Sequence, residues 1–467
     1  TYSGYVWRTN ATGAACMDMA DIVGERQLCT SASGSWQFLS GTWDSGSNTS
    51  VTLRLITDGS PTGDIWFDDI SLEGTDGPTP TPSSSVPPQH IHLSWTDTNG
   101  VVDPSSTMNV IWSTTQTGDS IVNYGSSLSY GSQATGTTAY SASLGVYIHS
   151  VKLTGLVPNQ VYHYSVGSTG LGYSSDFTFR TAPVKGTIGS YTIGLWSDTQ
   201  NNSGNTNFEV TSGIVAQMIP YAPLFTLHMG DMVENGSNAP SVKNFLAVSQ
   251  GLNATAPLLP VLGNHDLRNA TGSGFQSPYP NFTDGFNLPG NELYYSFDYG
   301  NAHFTALDTG VAKTAAPLGQ LLFAPGTAQH DWLVNDLNAA DNDPDIKWKI
   351  VYLHFPPYVL PGDSLVQEVQ TILAPLMDTY HVDLVITGHR HVYERSVSIY
   401  NNEIVQPGPN YTGTPYGTVY VVNGTAGGEP QGGGQGPFAF TSQTGYDFAI
   451  LNINGNVLTF TAKGSAG

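Results

Sequence analysis

The sequence predicts a multidomain chain, two all-β units followed by an α/β unit, and three observations carry that prediction. Up to about residue 185 apolar and polar residues alternate at period two, without helical period. Residues 77–88 read GPTPTPSSSVPP, a Pro/Thr/Ser run that forms a semi-extended linker and cannot build a core. From about residue 187 apolar strands alternate with helical stretches, the pattern of a sheet covered by helices. At 467 residues, 39% of them apolar, the chain has room for more than one core.

The first unit spans residues 1–76. Its alternating segments, near 5–7, 36–39, 51–56 and 65–70, define it as all-β. The end of the unit, GDIWFDDISLEG, resembles the last strand of jelly-roll carbohydrate-binding modules. The resemblance implies a polysaccharide partner met by exposed aromatics, for which Trp7, Trp36 and Trp43 are available; packing inside the β core is their alternative role. The unit is short for a jelly roll, with the opening strands missing from the pattern. It holds the only two cysteines, Cys16 and Cys29, whose short separation suits a local disulfide, two free buried thiols being the alternative.

Residues 89–185, after the linker, form the second unit. Short strands near 91–95, 107–112, 121–124, 147–153 and 161–166 have the number and spacing of a β-sandwich. Leu156, Pro158, Tyr162 and Tyr164 resemble the Leu-x-Pro and corner tyrosine of fibronectin-III-like sandwiches. On its own such a unit implies packing or adhesion and no chemistry.

The third unit, residues 186–467, has helical stretches near 207–219, 328–339 and 365–380; within 329–337, His330, Leu333, Val334 and Leu337 share one helix face. The strand–helix alternation predicts a largely parallel sheet with helices on both faces, with ligands beyond the carboxyl ends of the strands. Five apolar stretches end there in a residue that can bind a cation. Residues 191–196 lead to Asp198 and Gln200, 223–229 to Asp231, 257–262 to Asn264, 349–353 to His354, and 382–387 to His389 and His391. Oxygen and nitrogen donors without a thiolate suit Mn, Fe or Zn, and exclude Cu(I) and iron–sulfur clusters. Two cations about 3.5–4 Å apart acidify a water into the attacking hydroxide and clamp the oxygens of a phosphate ester. A shared carboxylate offsets the repulsion between them. His265, beside a ligand-type residue, would face the substrate and protonate the leaving alkoxide; a turn histidine oriented by Asp266 is the alternative. Arg268 and Arg390 are expected to face solvent, contact with phosphate being the alternative; Glu394 and Arg395 are expected to pair, and His228 and His381 to lie in the core.

The order Asp, Gly-Asp, Gly-Asn-His-Asp, His, Gly-His-x-His resembles the calcineurin-like metallophosphoesterases. With the preceding sandwich, HFPPY at 354–358 and GHRHVYER at 388–395, it is most similar to the purple acid phosphatase branch, over about residues 87–465. The resemblance implies an αββα sandwich and two metal ions, Fe, Mn or Zn, bridged by Asp231. Asp198, Gln200 and His391 would complete one site; Asn264, His354 and His389 would complete the other. Two departures limit it. Glu234 stands where the branch carries a tyrosine, three residues after the bridging aspartate, which removes the basis for a purple Fe(III) centre. Ser197-Asp198-Thr199-Gln200 replaces the branch's Gly-Asp-x-Gly, and Gln200 is either a neutral, weaker ligand or a residue behind the ligands.

The expected function is that of a secreted dinuclear phosphoric-ester hydrolase, acid-phosphatase-like, with a phosphomonoester as its small-molecule substrate. Phosphodiester or nucleotide hydrolysis is the near alternative, decided by loops such as 269–290. A formal charge of −22, from 14 Lys and Arg against 36 Asp and Glu, excludes a binder of nucleic-acid backbones. It leaves the metal charge to attract phosphate. No apolar run approaches the ~20 residues of a membrane span, and no signal peptide is read. The sequons at Asn48, Asn253, Asn281 and Asn410 fit an extracellular or cell-surface glycoprotein. A reading of another class is a structural or adhesive subunit. The first module is incomplete at its start, and residues 445–462 fall one strand short of the family's pattern. A neighbouring chain could complete such edges, giving a homo-oligomer or filament.

Overall fold

The computed structural model describes residues 2–8, 14–20, 26–30, 37–41, 52–58 and 65–72, and residues 87–464 apart from 99, 201–207, 269–278, 310–322, 363 and 414. Two compact units emerge, Thr1–Ser84 and Ser85–Gly467. In the first, Tyr2–Arg8 lies between Gln37–Gly41 and Ile65–Leu72, and Ala14–Ala20 lies between Arg26–Thr30 and Thr52–Asp58, all antiparallel. Cys16 and Cys29 face each other across their strand pair and form the expected disulfide. Trp36, Trp43, Asn48 and the side chain of Trp7 lie outside the described residues.

The second unit opens with a β-sandwich. One sheet runs in the order Thr137–Ser141, Val146–Leu153, Met108–Thr114, Gln89–Ser94. The other carries Ser132–Thr135, Ile121–Gly125 and Val161–Ser168, with Gly172–Tyr173 and Phe177–Arg180 also paired to Val161–Ser168. Trp112, Val110, Val122, Val166 and Phe179 fill its core. The two tyrosines divide their work: the Val157 N–H donates to Tyr162 Oη (2.9 Å), a local corner bond, while buried Tyr164 donates to Ala254 O (2.7 Å) in the α/β body. Ile91 N–H donates to Gln250 Oε1 (2.9 Å), another tie to that body. The apolar core is continuous across the two parts, which is why they form one unit.

The α/β body has two sheets. In the first, Leu258–Pro260, Phe225–His228 and Ser190–Trp196 run parallel, followed by antiparallel Asp447–Asn454 and Val457–Gly464. In the second, Ala302–Ala306, Trp348–Tyr352, Leu384–Thr387 and Val419–Asn423 run parallel. Tyr295–Tyr299 flanks them on one side, and Tyr393–Ser396 and Ala439–Gln443 on the other, all antiparallel. Period-two alternation decides what each face meets. Ile350, Tyr352, Leu384, Ile386 and Val421 point into the layer shared with Ile193, Leu195, Phe225 and Leu451 of the first sheet. Their neighbours Val351, Leu353, Val385 and Tyr420 point the other way. There they meet Leu333 and Leu337 of a helix at Ala328–Asp341, and Val369, Leu373 and Met377 of another at Ser364–Thr379. The outer face of the first sheet is covered by helices α1 (Glu209–Met218) and α2 (Ala239–Asn253), with the Trp196 ring stacked on Phe245 at 5.6 Å. The two later helices are α4 and α5; a short α3 (Pro280–Gly285) lies between.

Each sheet therefore has helices on one face only, correcting the reading of one sheet covered on both; the second face is taken by the other sheet, as an αββα sandwich requires. Helix α2 escaped that reading because Ser, Gly and Asn dilute its apolar period. It starts on an Asn238 side-chain cap of Ser241 N–H (3.2 Å) followed by Pro240. Two sequons are closed by packing, with Asn253 0% and Asn281 3% exposed, so neither can carry a glycan in the folded chain; Asn410 is exposed. Among the described residues no helix is long and apolar enough to cross a membrane.

Candidate metal centre

The seven ligand-type residues lie just past the carboxyl ends of five parallel strands, three from one sheet and two from the other. Asp198 and Gln200 follow Ser190–Trp196, Asp231 follows Phe225–His228, and Asn264 follows Leu258–Pro260. His354 follows Trp348–Tyr352, and His389 and His391 follow Leu384–Thr387. Asp198 (φ 54°), Asp231 (φ 54°) and His389 (φ 70°) all hold left-handed backbone, which a residue with a Cβ adopts only when its surroundings impose it. Buried Asp266 supplies part of that constraint: its carboxylate accepts the N–H groups of Asp231 (2.8 Å), Met232 (2.9 Å) and Gly263 (2.9 Å). Gly263 is demanded by space, because a Cβ there would stand 2.2 Å from Asp231 Oδ1.

The donor atoms converge. Asn264 Oδ1 lies 3.1 Å from His354 Nε2 and 3.0 Å from His389 Nδ1, and His354 Nε2 lies 3.3 Å from Asp231 Oδ2. On the other side of Asp231, His391 Nε2 stands 3.5 Å from Asp198 Oδ1. The Gln200 carboxamide is satisfied with its nitrogen donating to Asp231 O (2.8 Å) and its oxygen turned to His391 Nε2 (3.1 Å). Its oxygen thus joins the donors, as a neutral ligand would. Atoms about 2.0–2.2 Å from a common ion stand roughly 3–3.5 Å apart, so these separations fit the edges of two coordination shells that share Asp231. Behind them, His354 Nδ1–H donates to Met229 O (2.8 Å) and His391 Nδ1–H to Glu429 O (2.9 Å), turning each Nε2 inward.

The electrostatics suit a cation. Burial disfavours the Asp231 carboxylate, but His354 and His265 outweigh that and hold it well below the usual range. Burial and the His354 charge push His389 down to about 3, leaving the neutral imidazole a metal requires. Burial opposes charge on His354 too, yet Asp231 pushes it up to about 9, so a proton and a metal ion compete for the same centre.

His265 stands beside this cluster, its N–H donating to Asp231 Oδ1 (2.7 Å) and its Nε2 3.8 Å from Asp231 Oδ2. Its Nδ1 faces Glu234, 3.2 Å from both the carbonyl oxygen and carboxylate Oε2. Arg268 pairs with Glu234 Oε1 and places Nη2 2.9 Å from His265 Nε2. Burial lowers the His265 pKa, but Glu234 and Asp231 reverse this and raise it.

Several expectations are corrected here. Arg268 turns into the site because it sits one turn after His265, its N–H donating to His265 O (3.2 Å); Arg390 is half-buried, donating to Pro361 O (3.3 Å). Adjacent strand residues point to opposite faces, so Glu394 is buried while Arg395 stacks on Phe440 at 4.3 Å, and they do not pair. His228 is a core residue against Trp196 and Phe245, but the side chain of His381 is 49% exposed in the turn after α5. Glu234 and Asp266 acquire site roles that sequence reasoning missed, while Arg268 takes the site-facing position that it held there only as the alternative. The only available signal was their spacing, Asp-x-x-Glu and His-Asp-x-Arg, which gains meaning once both turns are seen to meet.

Comparison with known proteins agrees with this arrangement. Residues 88–181 match the family model for the purple acid phosphatase N-terminal domain, and residues 191–393 match that for calcineurin-like phosphoesterases. Acid phosphatase type 7 of Mus musculus is 30% identical over 368 residues, covering 73% of this chain and 78% of that protein. Purple acid phosphatase 15 of Arabidopsis thaliana is 27% identical over 315 residues; the match covers 60% of this chain and only 53% of the plant protein. The structure of purple acid phosphatase PPD1 from yellow lupin (Lupinus luteus) seeds superposes with a TM-score of 0.67 at 20% identity, covering 81% of this chain and 72% of that one, a likeness of fold. With both the N-terminal sandwich and the α/β body matched, the chain belongs to the calcineurin-like phosphoesterases, in the purple acid phosphatase group of metal-dependent phosphatases.

Proposed function

We propose that this chain is a secreted phosphomonoester hydrolase. In that role Asp198, Gln200, Asp231 and His391 would hold one metal ion, and Asp231, Asn264, His354 and His389 a second. The observation that carries the reading is the convergence of these seven side chains, Asp231 among them, with neighbouring donor atoms 3.0–3.5 Å apart. The donor set suits Fe, Mn or Zn. With both ions bound, the centre supplies the charge that acidifies a water and clamps the attacking and leaving oxygens. The chain's own residues do the rest. Asp231 is fixed by His265 N–H and the Asp266 turn, and His354 and His391 are locked as Nε2 ligands by backbone carbonyls. His265 presents Nε2 at the edge of the cluster, where the leaving oxygen would take a proton.

Metal analysis with turnover of a generic monoester and diester tests the reading. Asp231→Ala is expected to lose both metals and all activity. His265→Ala should retain metal and slow turnover by roughly 10²–10⁴-fold, most for poor leaving groups. Faster turnover of the diester would overturn the monoester assignment, and a metal-free, inactive wild-type protein would overturn the enzyme.

A further inference from the structure

We infer that the β-sandwich holds the turn that carries His265, through α3, and that Asn281 is the positioning residue where α3 meets that turn. The inference rests on the reading of His265 as proton donor and adds what places its backbone. Helix α3 has six residues, too few to hold a helix in water, so its neighbours must fix it. The sandwich grips it on one side. Asp284 Oδ2 accepts from Ser141 Oγ (2.6 Å) and Ser143 Oγ (3.1 Å). Just past the helix, Asn287 O accepts from Ser94 Oγ (2.5 Å), and Asn287 Nδ2 donates to Ser150 Oγ (2.8 Å). The Phe286 ring meets His92 edge-on at 5.6 Å.

On its other side α3 reaches the site. Buried Asn281 donates from Nδ2 to Gly236 O (2.7 Å), and Gly236 N–H donates to His265 O (3.0 Å). A single residue thus links α3 to the backbone of His265. Glycine is demanded there by space, because a Cβ would stand 1.6 Å from Asp266 O. Apolar packing leaves a gap at the same place. A cavity of about 20 Å³ separates Phe282 and Phe286 from Met232, Val233 and Asp266 of the two turns. Atoms facing a void lose their contacts, so the directional Asn281 bond carries the placement across it. The ligands are held by other bonds, Asp231 N–H to Asp266 and His354 Nδ1–H to Met229 O. Losing the Asn281 bond therefore shifts His265 without emptying the centre.

In the step so arranged, a water oxygen bonds to phosphorus and the ester P–O bond breaks, its electron pair staying on the alkoxide. The alkoxide takes the Nε2 proton of His265, and the proton lost by the water leaves to solvent. Misplacing His265 lengthens the proton transfer and leaves the attack on phosphorus alone, so the cost grows with the basicity of the leaving group.

The test uses the metal-loaded full chain on an aryl phosphate with a good leaving group and an alkyl phosphate with a poor one. The variants are Asn281→Leu, Asp284→Ala with Asn287→Ala, His265→Ala, and Asn281→Leu with His265→Ala; metal content and Tm are measured for each. Asn281→Leu should keep both metals and lose kcat on the order of tenfold more on the alkyl ester than on the aryl ester. Asp284→Ala with Asn287→Ala cuts the sandwich's grip at two half-buried side chains, and should show a smaller bias of the same sign. This pair decides the matter alone if Asn281→Leu does not fold. Added to His265→Ala, Asn281→Leu should leave the ratio of the two rates unchanged, because no donor is left to place. A lowered Tm with equal losses on both esters, loss of metal, or additive losses in the combined variant would overturn the inference while leaving His265 as donor. So would the absence of any bias in the sandwich-side pair. Absence of a leaving-group bias in His265→Ala itself would instead overturn the donor reading, and this inference with it.

Discussion

Asp198, Asp231 and His389 hold left-handed backbone against their own preference, so the ligand positions depend on neighbours that leave no slack. Gly388 shows how little space remains. A Cβ at that position would stand 2.1 Å from Ser197 Oγ and 2.4 Å from Asp198 Oδ2, while the next residue's N–H donates to Asp198 at 3.0 Å. Gly388→Ala is therefore expected to displace Asp198 and weaken binding of the ion that, in the proposed centre, Asp198 would share with His391 and Gln200. Misplaced support around a ligand costs roughly 10–100-fold in metal affinity. Titration with Mn or Zn should show one tight and one weakened site, with an unchanged circular dichroism spectrum; two undiminished sites would refute the account. At this scale the sequence was informative about donors and uninformative about their supports. Asp231, Asn264, His354, His389 and His391 advertise themselves by residue type at strand ends. Asp266 acts on Asp231, and Glu234 on His265, through contacts between turns about 30 residues apart, which no local pattern encodes.

Among the elements, the strand pair Tyr295–Tyr299 and Ala302–Ala306 is fastened to α4 by a buried imidazole. His303 lies opposite Asp298 in the pair; its Nδ1 is 2.7 Å from Asp298 Oδ1 and its Nε2 3.1 Å from Asp336 Oδ2 on α4. Thr305 Oγ1 donates to Asp336 Oδ2 (2.9 Å), and Lys185 Nζ holds Asp298 Oδ2 (2.7 Å). Burial lowers the His303 pKa, but the two carboxylates outweigh it and push it up to about 9. A folded pKa above the unfolded value of ~6.5 means stability that is fully present below pH ~6.5 and lost as the pH rises through about 9. Wild-type Tm should therefore fall between those limits. His303→Gln should be destabilised by about 3–5 kcal/mol at pH 6, since one partner of a buried pair is gone, and should show a flatter fall. Parallel Tm–pH curves for the two proteins would refute it. This junction was invisible in the sequence for the same reason that α2 and the antiparallel edge strands were. Five strands ending in ligands stood out because they are apolar, short and punctuated. The elements that close the sheets carry diluted patterns that only tertiary burial explains.

For the whole molecule, the boundary that matters for activity falls in the Pro/Thr/Ser run and not at the end of the sandwich. The units Thr1–Ser84 and Ser85–Gly467 each have their own interior contacts. The sandwich, by contrast, shares one apolar core with the α/β body and is bonded to it through Tyr164 to Ala254, Ile91 to Gln250 and Ser141 to Asp284. Gln250 lies on α2, which covers the sheet that supplies Asp198, Asp231 and Asn264. Deleting residues 1–84 should leave kcat/KM on a monoester within about twofold and keep the thermal transition of the remainder, as expected for a separately folded unit. Reducing Cys16–Cys29 in the full chain should likewise lower only a transition that this deletion removes. Deleting residues 85–183 as well should strip apolar surface from α2 and from the shared core, and yield an insoluble or metal-free product. Calorimetry and metal analysis of the two truncations distinguish the outcomes. A soluble, active product lacking the sandwich would show that the α/β body holds its ligand turns without it.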